Sequence, residues 1–216
     1  MHRMAVPAHD PSGVLHVLAQ SNRFLVQQVF RPIGNEYRIS IPAPGEAEEG
    51  TPLLFVKQKK LAIKEDIRFR LAPEGDPYLF MIKAKTVFEF RGRHEVLDDQ
   101  GTVIGLLEKD FARSLLRSHW HVRDPSGTEL FEGYESNLPI ALVRRFAGAV
   151  SDWLAALTWL PFNFVLKRDG VEAGSYRRVL GKLRDRYVLE LQGDLESVDR
   201  RLVLAFAVAL DALQDR

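Results

Sequence analysis

The sequence contains no cysteine. That excludes disulfides, thiolate metal sites, cysteine nucleophiles and S-palmitoylation together, and it suits a reducing cytoplasm. Long apolar runs are also missing. The most apolar stretch, Leu202 to Leu210, is closed off by Arg200-Arg201 and Asp211. It falls well short of the roughly 20 apolar residues that span a bilayer. Charge of one sign is scarce as well. A net charge of +1 gives no global field to draw the chain onto nucleic acid or anionic membrane, so either would need a local basic patch. The start, Met1 to Ser12, has no apolar core of the kind a signal peptide needs and reads as a frayed tail over residues 1–12. Catalytic signatures are absent too. There is no Gly-x-Ser-x-Gly elbow, no phosphate-binding Gly-rich loop with Lys and no dinucleotide fingerprint. His94-Glu95 is not followed by a metalloprotease helix pattern. A triad formed by tertiary contact would be recognised by geometry rather than by sequence position. No enzyme and no cofactor are expected.

What is present is an ordinary globular composition, 46% hydrophobic and 27% charged, with thirteen Phe, five Tyr and three Trp to fill a core. Most of the chain alternates at period two. Ile67, Phe69 and Leu71 alternate with Arg68 and Arg70. Phe88 and Phe90 alternate with Glu89 and Arg91. Phe162, Phe164 and Leu166 alternate with Asn163 and Lys167, and Tyr187, Leu189 and Leu191 with Val188 and Glu190. Such runs are antiparallel strands with one wet face. Asp98-Asp99-Gln100-Gly101, Asp124-Pro125-Ser126-Gly127 and Arg168-Asp169-Gly170 sit between strand-like runs as hairpin loops do. Pro42 to Pro52 reads as a longer exposed loop and Ala72 to Pro77 as a shorter one. Val103 to Lys109 and Val171 to Arg178 echo each other. Each is a strand with a glycine, then a basic bend and an aromatic strand, which suggests a repeated hairpin module.

Two segments depart from this pattern. Pro139 to Leu160 places Leu142, Phe146, Val150, Trp153 and Leu157 on one helical face, with Arg144, Arg145, Ser151 and Asp152 opposite. Pro139 suits the first helical position and Pro161 stops the run. Ser197 to Leu213 is a second helix, with Asp194 or Ser197 as candidate cap. A helix that is apolar all round is buried, in protein or in lipid. The short length and flanking charges of Leu202 to Leu210 favour protein.

Several short stretches resemble known proteins. Leu18-Ala19-Gln20-Ser21-Asn22-Arg23-Phe24-Leu25-Val26-Gln27-Gln28, read as an opening strand, and Tyr37-Arg38-Ile39 look like the start of phospholipid scramblases. Val96 to Gly101 and Trp120 to Gly127 are similar to scramblases and to the plant LURP-one-related proteins. The ending, Asp185 to Leu189 and then Asp199-Arg200-Arg201-Leu202 before an apolar helix, is also like theirs. The resemblance runs from about Leu15 to Leu213. It implies the tubby-like fold, a mainly β closed antiparallel barrel of about twelve strands around a buried hydrophobic C-terminal helix. One such domain over 13–216 is expected, with the amphipathic helix at about 140–160 beside it. The resemblance further implies a phospholipid-binding, membrane-associating protein without enzymatic activity. Calcium-activated scrambling is not carried over. Gly193 to Asp199 has three carboxylates but not the scramblases' acidic calcium-binding run, and carboxylates at a helix start serve as caps and dipole partners.

Three sets of residues are candidates for function. The segment from Lys57 to Arg93 holds ten Lys and Arg against five acids. Lys57, Lys59, Lys60, Lys83, Lys85, Arg91 and Arg93 form either a headgroup-binding patch or an ordinary solvated barrel exterior. Arg144, Arg145, Trp153 and Trp159 fit an interfacial membrane helix or one packed on the barrel and open to a partner protein. His119 and His121 flank Trp120 on a strand and point to one face. No third ligand stands at suitable spacing, so no metal is expected. The expected partners are an anionic phospholipid surface or a protein, not nucleic acid. The expected location is cytoplasmic, either free or peripheral at the inner membrane face. A soluble regulatory scaffold with no lipid activity is the alternative.

Overall fold

The computed structural model describes residues 10–30, 35–42, 50, 52–58, 66–74, 77–84, 92–110, 118–136, 163–179 and 186–213. Helix α1 spans Pro11–Gln20. The strands follow in order: β1 Arg23–Phe30, β2 Asn35–Ser40, β3 Pro52–Gln58, β4 Asp66–Arg70, β5 Tyr78–Ala84, β6 Arg93–Asp98, β7 Val103–Lys109, β8 His119–Arg123, β9 Glu129–Glu135, β10 Phe164–Arg168, β11 Val171–Arg178 and β12 Arg186–Leu191. A 3-10 turn, Gly193–Ser197, leads into helix α2, Arg200–Ala212. Each strand pairs antiparallel with its neighbours in sequence. β1 also pairs with β12, Arg23 opposite Glu190 through Gln27 opposite Arg186, which closes the twelve strands into a barrel. Glu190 bridges this seam on the outside, meeting Arg23 at 3.1 Å and Arg177 at 2.6 Å.

The alternation read from the sequence becomes an inside and an outside. Ile67 and Phe69 are buried while Arg68 and Arg70 are half-exposed. The three hairpin loops fall where their turn residues indicate, and Gly101, Gly127 and Gly170 all have positive φ. α2 fills the lumen. Val203 to Leu210 are fully shielded from solvent, so the apolar run faces barrel wall on every side. Closure removes exposed sheet edges, and α2 removes the void that closure would leave.

Both ends of α2 are pinned by polar contacts. At its start Asp199 caps the helix, accepting from the Arg201 backbone N–H at 2.9 Å and pairing with the Arg201 guanidinium at 2.7 Å. Arg200 is buried beside it and donates to the carbonyls of Ser21, Leu195 and Val198 and to Oδ1 of Asn22. At the far end the Tyr37 hydroxyl donates to Asp211 at 2.6 Å, and Gln58 donates to the Ala212 carbonyl at 3.2 Å. Burial, with Asp211 beside it, holds the Tyr37 hydroxyl well above its ordinary pKa.

The two echoed hairpins are β7–β8 and β11–β12, and their glycines share a structural reason. A Cβ on Gly105 would lie 2.8 Å from the Arg123 carbonyl oxygen and 2.6 Å from the Leu202 side chain, and one on Gly174 would lie 2.7 Å from the Glu190 carbonyl oxygen. Gly133 on β9 is tighter still, because its missing Cβ would overlap the ring of Phe206. That ring is fixed edge-on between Phe131 and Phe164, with centroids 5.4 and 6.4 Å away. Gly133→Ala is therefore expected to cost about 1–3 kcal/mol by overpacking. Thermal melting of Gly133→Ala, Phe206→Leu and the double variant checks this, since the double variant should recover part of the loss.

The start of the chain differs from the sequence reading. The strand read from Leu18 starts instead at Arg23, residues 1–9 lie outside the described residues, and Pro11 and Ser12, read as the end of a frayed tail, open α1. Asp10 caps it, accepting from the N–H groups of Ser12 and Gly13 at 3.0 Å each. Val14 and Leu18, one turn apart, are buried in the core. Pro11 occupies a first-turn position, where its missing N–H costs nothing. Leu18 to Gln20 end this helix, and the strand begins at Arg23. The expected amphipathic helix at about 140–160 and the strand at Phe88 and Phe90 lie outside the described residues.

Candidate functional site

The outer face of β2, β3 and β4 carries one row in register: Arg38, Phe55 and Arg70. Each is half-buried. Inward neighbours of the same strands, Tyr37, Val56 and Phe69, are core residues, so alternation forces the row outward. Lys57, two positions from Phe55, is exposed beside it. Arg38, Phe55, Lys57 and Arg70 line a small depression of about 50 Å³ together with Glu36 and Pro73. This is far below the roughly 300–1,000 Å³ of a small-molecule pocket. Three cations around one aromatic side chain suit contact with a small anionic group at a surface rather than enclosure of a substrate.

Of the seven basic candidates in this segment, Lys57, Lys83 and Arg93 fall among the described residues. Lys57 lies 3.6 Å from Glu36. Lys83 is exposed on β5, opposite Asp66 of β4 and Glu95 of β6. Arg93 meets Glu108 at 3.2 Å. Lys57 and Lys83 flank β4 on the same outer face, with Arg68 between them held by Asp66 at 2.9 Å and set over Tyr78. Arg93 lies three strands from Lys57, roughly 14 Å across the sheet. Lys59, Lys60, Lys85, Arg91, Arg144, Arg145, Trp153 and Trp159 lie outside the described residues. Sequence spacing does not single out Arg38, and Arg70 stands in the sequence only as one member of the basic segment.

A wider groove of about 470 Å³ separates α1 from the start of α2, between Leu15, Leu18 and Arg201. Its charged groups serve the capping and pinning of α2 described above. The acidic stretch Gly193 to Asp199 follows the same logic. Asp194 offers its backbone carbonyl to Arg168 at 2.8 Å, and Asp199 is the helix cap. His119 and His121 do share one face of β8, and the fold brings them three carboxylates that sequence spacing did not reveal, Asp110, Glu129 and Glu132.

A family model described as LURP-one-related matches residues 53–211, from the start of β3 into the last turn of α2. The chain belongs to the LURP-one-related family. This family lies within the tubby-like C-terminal superfamily, and the closed barrel threaded by a hydrophobic helix is the architecture expected from that resemblance. None of the curated proteins matches the chain. No helix among the described residues is long and apolar enough to cross a membrane, and α2 is enclosed by the barrel of this LURP-one-related chain.

Proposed function

We propose that this LURP-one-related barrel is a non-enzymatic protein that binds phospholipid headgroups and associates peripherally with membranes through the outer face of β2 to β4. The observation that carries this reading is the convergence of Arg38, Lys57 and Arg70 on one depression around Phe55. Guanidinium groups present planar donor forks to phosphate oxygens. Phe55, half-buried between the two arginines, supplies apolar contact at the same level. The family's tubby-like barrel is compatible with lipid binding and adds support.

Sedimentation with vesicles tests it. Vesicles containing phosphatidylserine should carry the protein down at moderate salt, and pure phosphatidylcholine vesicles should not. Each cation near an anionic surface contributes about 1 kcal/mol, so the triple variant Arg38→Ala, Lys57→Ala, Arg70→Ala should weaken binding roughly a hundredfold. Equal sedimentation with both vesicle types would sink the proposal, because electrostatic attachment must respond to charge and salt.

One observation favours the alternative of a soluble interaction scaffold. Outer charges lie close to opposite charges: Lys57 meets Glu36 within the depression, Arg93 and Arg123 both meet Glu108, and Arg23 and Arg177 both meet Glu190. A face neutralised in this way has little pull on a membrane. Failure of the vesicle test would leave this scaffold reading in place.

A further inference from the structure

The second site stands apart from the basic depression, on the outer face of β7 to β9. His119 and His121 occupy alternate positions of β8, with ring centroids 4.7 Å apart. Asp110 follows β7, and its backbone N–H donates to the His119 carbonyl at 2.9 Å, which fixes it beside the pair. Glu132 of β9 stands opposite His121 in the ladder, and Glu129 opposite Arg123.

The hydrogen bonds set the state of both rings. Nε2 of His119 lies 2.8 Å from a Glu132 carboxylate oxygen, and Nδ1 of His121 lies 2.7 Å from one of Glu129. An ionised carboxylate only accepts, so the ring nitrogen facing it carries the proton. In each neutral imidazole the other nitrogen then presents a lone pair. Those two nitrogens, His119 Nδ1 and His121 Nε2, face the same atom, Oδ2 of Asp110, at 3.8 and 3.7 Å. All three atoms fall within 4.8 Å of one another.

These separations are long for hydrogen bonds. They are close to the spacing of ligand atoms around one metal ion, which for a tetrahedral ion with bonds of about 2.0–2.1 Å is roughly 3.4 Å. Two lone pairs directed at a carboxylate oxygen repel it, and a cation at their centre reverses the sign of that interaction. The outer partners fit as well, because a metal-ligating histidine characteristically donates its other ring N–H to a carboxylate that fixes the ring and raises its basicity. Glu129 lies 3.5 Å from Arg123, and Glu132 stands opposite Lys167 across β9 and β10.

We propose that His119, His121 and Asp110 form a binding site for a divalent first-row transition metal ion of the zinc class, with Glu132 and Glu129 as the outer carboxylates that orient the two rings. Two imidazoles and one carboxylate suit zinc, cobalt or iron(II) and do not suit calcium, which takes six to eight oxygen ligands. Three protein ligands leave a coordination position open to water or to an anionic group. The side chains are shielded unequally, from 6% exposed for His119 and 17% for His121 to 41% for Glu129, so the ion would be held at a covered edge with access from the Glu129 side.

The test uses the untagged full chain, stripped with chelator, loaded with zinc chloride, desalted and assayed for metal. One zinc per chain is expected, with a rise in melting temperature that chelator reverses. Cobalt(II) loaded in place of zinc should give the visible absorption of a low-coordinate nitrogen and oxygen site. His121→Ala and Asp110→Asn should each abolish stoichiometric retention while melting like the metal-free parent, which separates lost ligation from lost folding. Glu132→Gln keeps an acceptor for the His119 ring but removes its charge, and should weaken zinc binding about tenfold to a hundredfold. Absence of retained zinc, or retention unaffected by His121→Ala and Asp110→Asn, would overturn the site and leave the histidines as members of surface ion pairs. Vesicle binding plays no part in these readouts, so the metal site and the headgroup reading stand or fall separately.

Discussion

Ala207→Asp abolishes folding of the barrel. Ala207 sits mid-way along α2 with no solvent exposure, inside the run Val203 to Leu210 that is shielded throughout. An ionised carboxylate there has no water, and the pinning groups Arg200 and Tyr37 lie at the two ends of the helix. Moving an isolated charge into such a medium costs far more than the roughly 5–15 kcal/mol that holds a typical protein folded. Protonating the side chain does not rescue it, since a larger polar group must still enter a packed interior. The expected result is insoluble protein, or a chain without a cooperative melt by circular dichroism. The matched control is Val171→Asp at the β10–β11 turn, where Val171 is 69% exposed and a change within about 0.5 kcal/mol is expected. If Ala207→Asp remains folded and only departs from a membrane fraction, α2 is an anchor and not a core.

Arg200→Leu is the second large effect. The guanidinium of Arg200 is buried and answers four acceptors, at 2.8 Å to Ser21, 3.1 Å to Leu195, 2.8 Å to Val198 and 2.7 Å to Asn22. Two of these belong to the junction between α1 and β1, and two to the turn before α2, so one side chain ties the first elements to the last. Burial lowers its pKa while Glu196 and Asp199 oppose that shift, and a guanidinium stays charged in proteins regardless. Leucine preserves bulk but strands the acceptors. A loss of about 1–3 kcal/mol per stranded buried group makes a total on the order of 3 kcal/mol a cautious expectation. For a chain of this size that is a fall in melting temperature of roughly 6–12 °C. Arg200→Lys should recover little of it, because a single ammonium cannot reach acceptors spread around a planar fork. Near-complete recovery by lysine would mean that charge, not the fork, is what the site requires.

The residues differ in how openly they announced these roles. Strands such as Asp66–Arg70 were legible because one face is buried and the other wet, and hairpins because Asp and Gly mark positive φ in the turns. The burial of α2 was legible from its lack of a polar face, while the barrel around it came from the resemblance. α1 was missed because Pro11, Ser12 and Gly13 imitate a loop and its core-facing stripe is only Val14 and Leu18. The basic depression was half legible. Lys57 stood out in a charged run, but Arg38 sits in another strand, and only the pairing of β2 with β3 and β3 with β4 aligns Arg38, Phe55 and Arg70. The carboxylates around His119 and His121 were hidden for the same reason, since Glu132 meets His121 through strand register and not through spacing.

The pairing of β1 with β12 carries a consequence for biogenesis. During synthesis β1 emerges early, yet its second partner and the helix that fills the lumen come after every other strand. Until then a ribosome-bound chain holds a hairpin array with its apolar inner face uncovered and one long unpaired edge. Such an intermediate is slow to resolve and prone to aggregate. A nascent chain of this kind is a natural client for chaperones, and truncation before Arg186 would leave that state permanent.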